Sequence, residues 1–259
     1  MDTVFGVTPF DLSGRIALVT GSSRGIGLAL SRALGQAGAE LILNSRDERS
    51  LLQAADELRA EGLSVHCRAF DVCDPEAVVD AVDSAERDIG PIDVLVNNAG
   101  LQMRAPLLDF AVEDFRQLIE VNLVAAFTVA RAVGRHMVSR GHGKIVNICS
   151  VQSELGRPTI APYTATKGGL KMLTRGMCAD FGPLGIQVNA LAPGYFATEL
   201  TAALVADEQF SRWVAQRTPA GRWGRVEELG GAIVFLSSEA SSYVNGQILY
   251  VDGGMTAVV

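Results

Sequence analysis

Short, largely apolar runs alternate along the chain with longer segments that have the periodicity of a helix. The runs fall at residues 16–19, 41–43, 65–70, 92–96, 145–148, 188–191 and 248–251. Apolar, β-branched runs of this length are typical of parallel strands, which are covered on both faces. Strands that alternate with helices form doubly wound sheets with right-handed crossovers. The sequence therefore predicts an α/β fold, doubly wound, with a seven-stranded parallel sheet and helices on both faces.

The segments between these runs carry helix and loop signals. One helix is predicted to begin at Asp74-Pro75, where an acid at the N-cap precedes proline at the first helical position. Two more are predicted from about residue 110 to 138 and from 163 to about 181. Residues 193–219 are rich in Thr and Ala after a Pro-Gly pair, and we expect an irregular, mobile lid there. No linker or repeat divides the 259 residues, so we expect a single domain over 1–259.

Composition and charge limit the class of function. Hydrophobic residues make up 48% of the chain and charged residues 20%, which excludes an intrinsically disordered protein. The formal net charge of −7 argues against nucleic acid as a partner, because nucleic acid is bound mainly through Lys and Arg. The same charge would repel an anionic ligand at long range, so any such ligand requires local positive groups.

The compartment is predicted from signals that the sequence lacks. Residues 1–6 do not have the basic and apolar segments of a signal peptide, and no run approaches the roughly 18 apolar residues of a membrane span. The four cysteines form no Cys-x-x-Cys pair and have no metal-ligand spacing with a histidine. We therefore expect a soluble cytoplasmic protein with no membrane partner and no metal.

A glycine-rich segment follows the first predicted strand and opens the first helix. Its glycines have the spacing G-x-x-x-G-x-G, between Thr20 and Gly27. Glycines let the backbone turn tightly and approach a pyrophosphate, and the N-terminus of the helix points N–H groups at it. A plain turn is the alternative. The segment predicts a Rossmann-type dinucleotide site that uses Gly21, Ser23, Arg24, Gly25, Ile26 and Gly27.

The end of the second strand predicts which dinucleotide is bound. An NAD site usually has an acid there, about 20 residues past the glycines, to hold the ribose 2′-hydroxyl. This chain has Ser45-Arg46 instead, and Arg46 lies 19 residues after Gly27. Arg24 and Arg46 can hold a 2′-phosphate between two guanidiniums, which favours NADP(H) over NAD(H). In the alternative, both are solvated surface arginines.

Two further strand ends are expected to line the same cofactor. Ligands of open α/β sheets bind at the carboxyl ends of the strands. Asp71-Val72 follows the third strand and is placed to meet the adenine. Asn98-Ala99-Gly100 follows the fourth strand and is placed to line the cofactor.

Three residues in the second half of the chain predict acid–base chemistry on a hydroxyl or carbonyl group. Tyr163 and Lys167 lie at i and i+4 and share one helix face, a spacing that is ordinary on its own. A free Tyr has a pKa of about 10. A neighbouring ammonium and an oxidised nicotinamide favour the phenolate, so we expect a lowered pKa for Tyr163. Ser150 ends the fifth strand, 13 residues before Tyr163, where its hydroxyl can hold a substrate oxygen.

Together these motifs resemble the short-chain dehydrogenase/reductase family, over about residues 12–255. The resemblance rests on the glycine turn, on Asn-Asn-Ala-Gly at 97–100, on the Ser/Tyr/Lys set and on Pro193-Gly194. It implies that Tyr163 is the general acid/base, that Ser150 orients the substrate, and that Lys167 holds the nicotinamide ribose. It implies further that Asn122 keeps a water in the proton relay. The implied catalytic residues are Asn122, Ser150, Tyr163 and Lys167.

The resemblance also extends the predicted cofactor site. Tyr163 and Lys167 would contact the nicotinamide ribose as well as act in catalysis. Pro193, Gly194, Phe196 and Thr198 match the segment that covers the nicotinamide in this family. Residues 12–145 would then form a glycine-rich cofactor half, and residues 146–259 a catalytic and substrate half.

Polar residues in two loops predict the substrate. Arg104 follows the Asn-Asn-Ala-Gly motif by four positions, and Gln152, Glu154 and Arg157 lie between Ser150 and Tyr163. A guanidinium can bind a carboxylate with two hydrogen bonds, while Gln and Glu can bind sugar hydroxyls. With Ser150 and Tyr163, these residues predict a site for a hydroxylated acid. In the alternative, each of the four is a solvated loop residue.

Longer strings at residues 88–93, 148–155, 192–199 and 217–224 are similar to family members that interconvert D-gluconate and 5-dehydro-D-gluconate. The resemblance implies a sugar-acid substrate and hydride transfer at C5. One departure is Leu101-Gln102-Met103-Arg104, where those members have Ile-Gln-Arg-Arg, so Arg104 is left as the carboxylate anchor. A 3-oxoacyl-thioester reductase, a reductase of another polyol or ketone, and a non-catalytic NADP-binding sensor are alternatives. The resemblance also implies a homotetramer.

Overall fold

The computed structural model describes residues 9–259, so the expectation for residues 1–6 lies outside the described residues. The strands are β1 (Ile16–Val19), β2 (Glu40–Ser45), β3 (Val65–Ala69), β4 (Ile92–Asn97), β5 (Gly143–Ile148), β6 (Ile186–Pro193), β7 (Phe196–Ala197), β8 (Gly224–Arg225) and β9 (Ile248–Val251). The helices are α1 (Gly25–Gln36), α2 (Glu48–Ala60), α3 (Pro75–Asp88), α4 (Val112–Ile119), α5 (Ala125–Arg140), α6 (Ala161–Phe181), α7 (Ala202–Ala206), α8 (Glu208–Arg217) and α9 (Gly230–Ser237).

The central sheet has seven strands in the order β3-β2-β1-β4-β5-β6-β9. All of its neighbouring strands are parallel. After β3 the chain crosses from one edge of the sheet to the position beside β1, so the strand order reverses between β1 and β4. Open α/β sheets bind their ligands at such a switch point. The predicted α/β fold with a seven-stranded parallel sheet is confirmed.

Two apolar clusters cover the two faces of the sheet. In β1, Ala17 and Val19 pack into one cluster, whereas Ile16 and Leu18 pack into the other, as the alternation of side chains along a strand requires. The first cluster includes residues of α1, α2 and α9, and the second includes residues of α3, α5 and α6. The predicted helices on both faces are therefore confirmed.

The helix signals in the sequence are reproduced closely. Asp74 caps α3 by accepting hydrogen bonds from the backbone N–H groups of Glu76 and Ala77, at 3.0 and 3.1 Å. The helix predicted from 163 to about 181 is α6, which begins two residues earlier. The helix predicted over about 110–138 is a continuous helical segment, Val112–Arg140, with a π-helical turn at Glu120–Val124.

The segment Val112–Arg140 also has the length and apolar composition that a membrane span needs. Half of its most apolar stretch is buried inside the protein. Its buried side chains, among them Val129 and Val133, belong to the cluster on one face of the sheet. Such burial is what a core helix of this kind of sheet requires.

Residues 193–219 are not irregular, so that expectation is wrong. They contain β7, α7 and α8, and β7 pairs in parallel with β8. The polar residues of this stretch cap its helices: Asp207 accepts hydrogen bonds from two N–H groups at the start of α8, and Thr198 and Thr201 bond each other across a short turn. Motion of this lid stays a prediction.

Candidate active site

A cavity of about 680 Å³ lies at the carboxyl ends of strands β1 to β6. It is lined by residues from each of the loops that follow these strands. The predicted cofactor residues in its lining are Gly21, Ser23, Arg24, Gly25, Ile26, Gly27, Ser45, Arg46, Asp71, Val72, Asn98, Ala99, Gly100, Tyr163, Lys167, Pro193, Gly194, Phe196 and Thr198. The structure thus brings together residues that are up to 177 positions apart in the chain, from Gly21 to Thr198.

The glycine turn has the close packing that its spacing predicts. Gly21 and Gly25 have φ angles of +62° and +57°, a region that favours glycine. A Cβ at Gly27 would collide with the carbonyl oxygen of Gly21 and with the side-chain amide of Asn98. A Cβ at Gly25 would meet no atom of the described chain within 4 Å, so this face of the turn is open.

Side chains from two neighbouring strands hold the turn in place. Asn98 donates hydrogen bonds from Nδ2 to the carbonyl oxygens of Thr20 and Gly21, at 2.9 and 3.0 Å. The hydroxyl of Thr20 accepts in return from the backbone N–H groups of Asn98 and Ala99. Asn44, at the end of β2, accepts from the N–H of Gly21 at 3.3 Å. The turn is therefore fixed in shape by the strands on both sides of it.

The residues at this turn fit the pyrophosphate of a dinucleotide. Within residues 9–259, no side chain caps the N-terminus of α1, and its first turn contains no acid. Its N–H groups are therefore available to an anion, which the helix dipole attracts. Arg46 lies at the same end of the cavity and its Nη1 is 3.5 Å from a carboxylate oxygen of Asp71.

Ser150, Tyr163 and Lys167 meet in the cavity. Lys167 is buried, donates a hydrogen bond to the carbonyl oxygen of Ile148 at 2.7 Å, and has its Nζ 5.8 Å from the centre of the Tyr163 ring. Ser150 Oγ accepts a hydrogen bond from the N–H of Gln152 at 3.2 Å. An ammonium, a phenol and a hydroxyl therefore converge next to the predicted cofactor residues.

In the chain by itself the pKa of Tyr163 is raised, and its lowering beside an oxidised nicotinamide stays a prediction. Burial raises the pKa of Tyr163 to about 12, and the hydrogen bond with Ser150 and the charge of Arg104 oppose this rise only in part. Burial also lowers the pKa of Lys167. The free energy needed to remove the phenolate from water is larger than the stabilisation that Ser150 and Arg104 give it. Tyr163 is therefore protonated at neutral pH and is ready to donate a proton.

Asn122 was predicted to be catalytic, and among the described residues it does not line the cavity. It sits in the π-helical turn, is 1% exposed, and clamps Leu101 by accepting from its N–H at 2.8 Å and donating to its carbonyl oxygen at 2.9 Å. It also donates to Thr166 Oγ1 at 3.2 Å. Its side chain therefore joins the loop after β4 to α6, the helix of Tyr163. A water relay beside it stays a prediction.

Of the four polar residues predicted to bind substrate, three line the cavity and one does not. Arg104, Gln152 and Arg157 line the cavity, with Ser150 and Tyr163. The prediction for Glu154 is wrong, because in the described part of the chain this residue does not line the cavity. Its carboxylate pairs with Lys171 and accepts a hydrogen bond from the hydroxyl of Tyr250 at 3.1 Å. Lys171 follows Lys167 by one helical turn and, among the described residues, does not line the cavity either.

The two cavity arginines lie close enough to affect each other. Burial lowers the pKa of Arg104, and repulsion by the guanidinium of Arg157 lowers it further. The loops that carry them are joined by a hydrogen bond from the N–H of Ala105 to the carbonyl oxygen of Thr159, at 3.1 Å. Like charges held together in this way favour an anionic ligand between them.

Asn44 and Tyr195 are among the lining residues that the sequence did not predict. Asn44 holds the glycine turn, and a polar residue inside an otherwise apolar strand is a signal that could have found it. Tyr195 lies between the predicted residues Gly194 and Phe196 and also lines the cavity. Its position directly after Pro-Gly at a strand end is the signal in that case.

Comparisons with known proteins show which family the chain belongs to. The family model described as enoyl-(acyl carrier protein) reductase, a model of short-chain dehydrogenases, matches residues 21–256. The gluconate 5-dehydrogenase of Gluconobacter oxydans is 62% identical over 95% of this chain and 96% of its own. The 5-keto-D-gluconate 5-reductase of Escherichia coli is 52% identical over 96% of this chain and 98% of its own.

A solved structure is equally similar. It is a gluconate 5-dehydrogenase from Burkholderia cenocepacia in complex with NADP and tartrate. It superposes with a TM-score of 0.95 at 58% identity and covers 97% of this chain and 98% of its own. Fold and sequence agree over nearly the full length. The chain belongs to the short-chain dehydrogenase/reductase family and is an oxidoreductase.

Proposed function

We propose that this protein interconverts D-gluconate and 5-dehydro-D-gluconate with NADP(H) as the cofactor. The observation that carries the proposal is the pair of guanidiniums, Arg104 and Arg157, in the same cavity as Ser150 and Tyr163. Two positive groups beside an acid–base pair suit a substrate with a carboxylate and a reacting hydroxyl. Relatives named for reactions of gluconate and 5-ketogluconate, at 62% and 52% identity, support the same substrate.

The proposed mechanism divides the work among the chain's own residues. The nicotinamide, when bound, accepts a hydride from C5 of gluconate or returns it to the carbonyl carbon. Tyr163 transfers the proton to or from the C5 oxygen, and Ser150 holds that oxygen by a hydrogen bond. Lys167 lies beside the ring of Tyr163 and favours its phenolate over a phenol when a proton has to be removed. Asn122 keeps the loop after β4 in register with α6.

The negative net charge of the protein does not prevent the binding of an anionic substrate and cofactor. The net charge of −7 is screened over about 10 Å in salt, so it acts weakly inside the cavity. Arg24, Arg46, Arg104 and Arg157 all line that cavity. Short-range contacts to a phosphate and to a carboxylate therefore outweigh a dispersed negative surface.

A turnover screen tests the proposed function. The wild-type protein is offered 5-dehydrogluconate, an acetoacetyl thioester and a set of polyols and ketones, each with NADPH and with NADH. We expect 5-dehydrogluconate to have the highest kcat/KM. Preference for the thioester would show a 3-oxoacyl-thioester reductase, and no turnover of any compound would favour a non-catalytic NADP-binding sensor.

Arg104→Ala is expected to weaken substrate binding selectively. A hydrogen bond to a charged group contributes about 1.5–3 kcal/mol, so the KM for D-gluconate should rise by about ten- to a hundredfold. The KM for NADP should change by much less, because Arg104 lies beyond the predicted cofactor residues of the loop after β4. Arg116→Ala is the matched control, since Arg116 is an exposed arginine on α4 that pairs with Glu113. Equal effects on both KM values would contradict the role of Arg104.

The preference for NADP(H) is expected to depend on Arg46. Arg46→Ala should raise the KM for NADP by about tenfold or more, the effect of losing one charged hydrogen bond, and should leave the KM for NAD nearly unchanged. The control is Arg49→Ala, an exposed arginine three residues further on in α2. A wild-type protein that prefers NAD, or an Arg46 variant that loses both cofactors equally, would contradict this proposal.

The remaining expectations concern assembly and compartment. We take the chain as one domain, with residues 12–145 for the cofactor and 146–259 for catalysis and substrate, in a cytoplasmic homotetramer. The two long helices α5 and α6 carry exposed apolar side chains, among them Phe127 and Met172, which support a self-associating surface. Light scattering after size exclusion measures the oligomeric state.

A further inference from the structure

An aromatic cluster lies over the substrate end of the cavity. It consists of Tyr195, Phe210, Trp213 and Trp223. The Tyr195 ring meets the other three edge to face, with centroid distances of 5.6, 5.7 and 5.7 Å and interplanar angles of 69°, 89° and 89°. Edge-to-face aromatic pairs are favourable and directional. The orientation of Tyr195 is therefore determined by three neighbours at once.

The same cluster supports a cavity arginine. The guanidinium carbon of Arg157 lies 5.4 Å from the centre of the Phe210 ring, a cation–π contact. Phe210 therefore contacts both Tyr195 and Arg157. Helix α8, which carries Phe210, thereby places a phenol and a guanidinium next to each other on the cavity wall.

The cavity wall near this cluster contains buried polar atoms that form no hydrogen bond with the described residues. Tyr195 Oη, Arg157 Nε and Gln152 Oε1 are buried without a hydrogen-bond partner among the described residues. All three residues line the cavity. A buried polar atom without a partner costs about 1–3 kcal/mol, so such atoms are found where a ligand supplies the partner. Two donors and one acceptor in the same cavity match the hydroxyl and carboxylate oxygens of a hydroxy acid.

We infer that Tyr195 is a substrate-binding residue, whose hydroxyl, together with Arg157 and Gln152, contacts oxygens of the acid away from the reacting carbon. The inference deepens the proposed function and rests on it. Burial raises the pKa of Tyr195, and Arg157 and Arg104 oppose this rise without reversing it. The phenol is therefore protonated at neutral pH and can donate a hydrogen bond.

This contact makes Tyr195 a determinant of specificity. A site built to hydrogen-bond hydroxyl groups rejects analogues that lack them, because its buried polar atoms are then left without partners. The cluster would thereby favour a polyhydroxy acid over an acyl chain of similar length. Ser150, Tyr163 and Lys167 are the same in either case and cannot supply this discrimination.

Tyr195→Phe tests the inference, because it removes one hydroxyl and keeps the ring inside the cluster. In the wild-type background, the KM for 5-dehydrogluconate should rise about tenfold or more, equal to about 1.4 kcal/mol per tenfold. The kcat should change by far less, and so should the KM for NADPH. Both tryptophans of the chain, Trp213 and Trp223, belong to the cluster, so an unchanged tryptophan emission spectrum shows that the cluster has kept its packing.

Binding is measured separately from turnover by calorimetry. In a Tyr163→Phe background with NADP bound, D-gluconate is titrated against the parent and against the variant that also carries Tyr195→Phe. We expect a dissociation constant at least about tenfold higher in the second, by the same conversion. Tyr243→Phe is the matched control, since Tyr243 is fully exposed. Equal binding by parent and Tyr195 variant would overturn the inference.

The proposed function fails separately, if wild-type protein neither turns over nor binds D-gluconate and its 5-keto form. The same variants are then titrated with tartrate. A weaker dissociation constant for tartrate in the Tyr195 variant would support the role of Tyr195 with another hydroxy acid. Equal binding, or binding by neither protein, would overturn the inference as well.

Discussion

Tyr163→Phe is expected to abolish turnover while the protein still binds NADP(H). The substitution removes only the hydroxyl that transfers the proton, and positioned acid–base groups contribute about 10²–10⁴-fold to rate. The kcat for 5-dehydrogluconate should therefore fall by that factor. The ring remains, so Lys167 keeps its place beside it and its hydrogen bond to Ile148. Fluorescence titration of NADPH measures the retained affinity.

The pH dependence of the wild-type protein gives a second measurement of the same role. Because burial raises the pKa of Tyr163 to about 12, the phenol is protonated across the neutral range. Reduction of the ketone uses the protonated form and should be insensitive to pH near neutrality. Oxidation of gluconate uses the phenolate and should become faster as the pH rises. The Tyr163→Phe variant should lose the rise of the oxidation rate with pH together with its activity.

The control for Tyr163 is another tyrosine changed in the same way. Tyr243→Phe removes an equivalent hydroxyl from a fully exposed site and should leave kcat and KM as in the wild type. If Tyr163→Phe retained most of the wild-type kcat, another group would have to be the acid, and the proposed mechanism would fail. Loss of NADPH binding in that variant would instead indicate a structural role for the hydroxyl.

Sequence patterns predicted those parts of the fold that depend on local signals. The apolar runs identify each strand of the central sheet, because a strand covered on both faces needs apolar side chains in both directions. The residues after those strands then meet at one edge without further information, since parallel strands share a carboxyl end. For that reason Gly21, Asp71, Asn98 and Ser150 could be placed in one cavity from spacing alone.

Features that depend on distant partners could not be predicted in this way. In residues 193–219, Tyr195 packs against the rings of Phe210 and Trp213, and against Trp223 just beyond; composition does not reveal that packing. Glu154 pairs with Lys171, which lies on a helix. The prediction for Glu154 considered only the loop between Ser150 and Tyr163. The pKa of Tyr163 depends on how deeply α6 is buried, which only the assembled structure shows.

Asn122 illustrates the same limit within one helix. Its helix was predicted, but not the π-helical turn at Glu120–Val124 that sets its direction. Its contacts reach Leu101, 21 residues earlier in the chain, and Thr166, 44 residues later. A motif can therefore identify such a residue while leaving open whether it acts on the ligand or on the protein around it.

Gly27→Ala is expected to damage both cofactor binding and stability. The added methyl group would collide with the carbonyl oxygen of Gly21 and with the amide of Asn98. Neither atom can move freely, because Asn98 bonds that same carbonyl and the carbonyl of Thr20. The free energy of unfolding should fall by about 1–3 kcal/mol, the cost of overpacking. Urea titration followed by circular dichroism measures it.

The same collision should also weaken cofactor binding. The collision moves the backbone that approaches the pyrophosphate, so the dissociation constant for NADPH should rise at least about tenfold, or 1.4 kcal/mol. The matched control is Gly231→Ala near the start of α9, where an added Cβ meets no atom of the described chain within 4 Å. Exchanging an exposed helical Gly for Ala removes about 0.5–1 kcal/mol of unfavourable propensity, so this control should match or exceed wild-type stability. Normal NADPH binding by Gly27→Ala would show that the cofactor does not depend on the close packing of this turn.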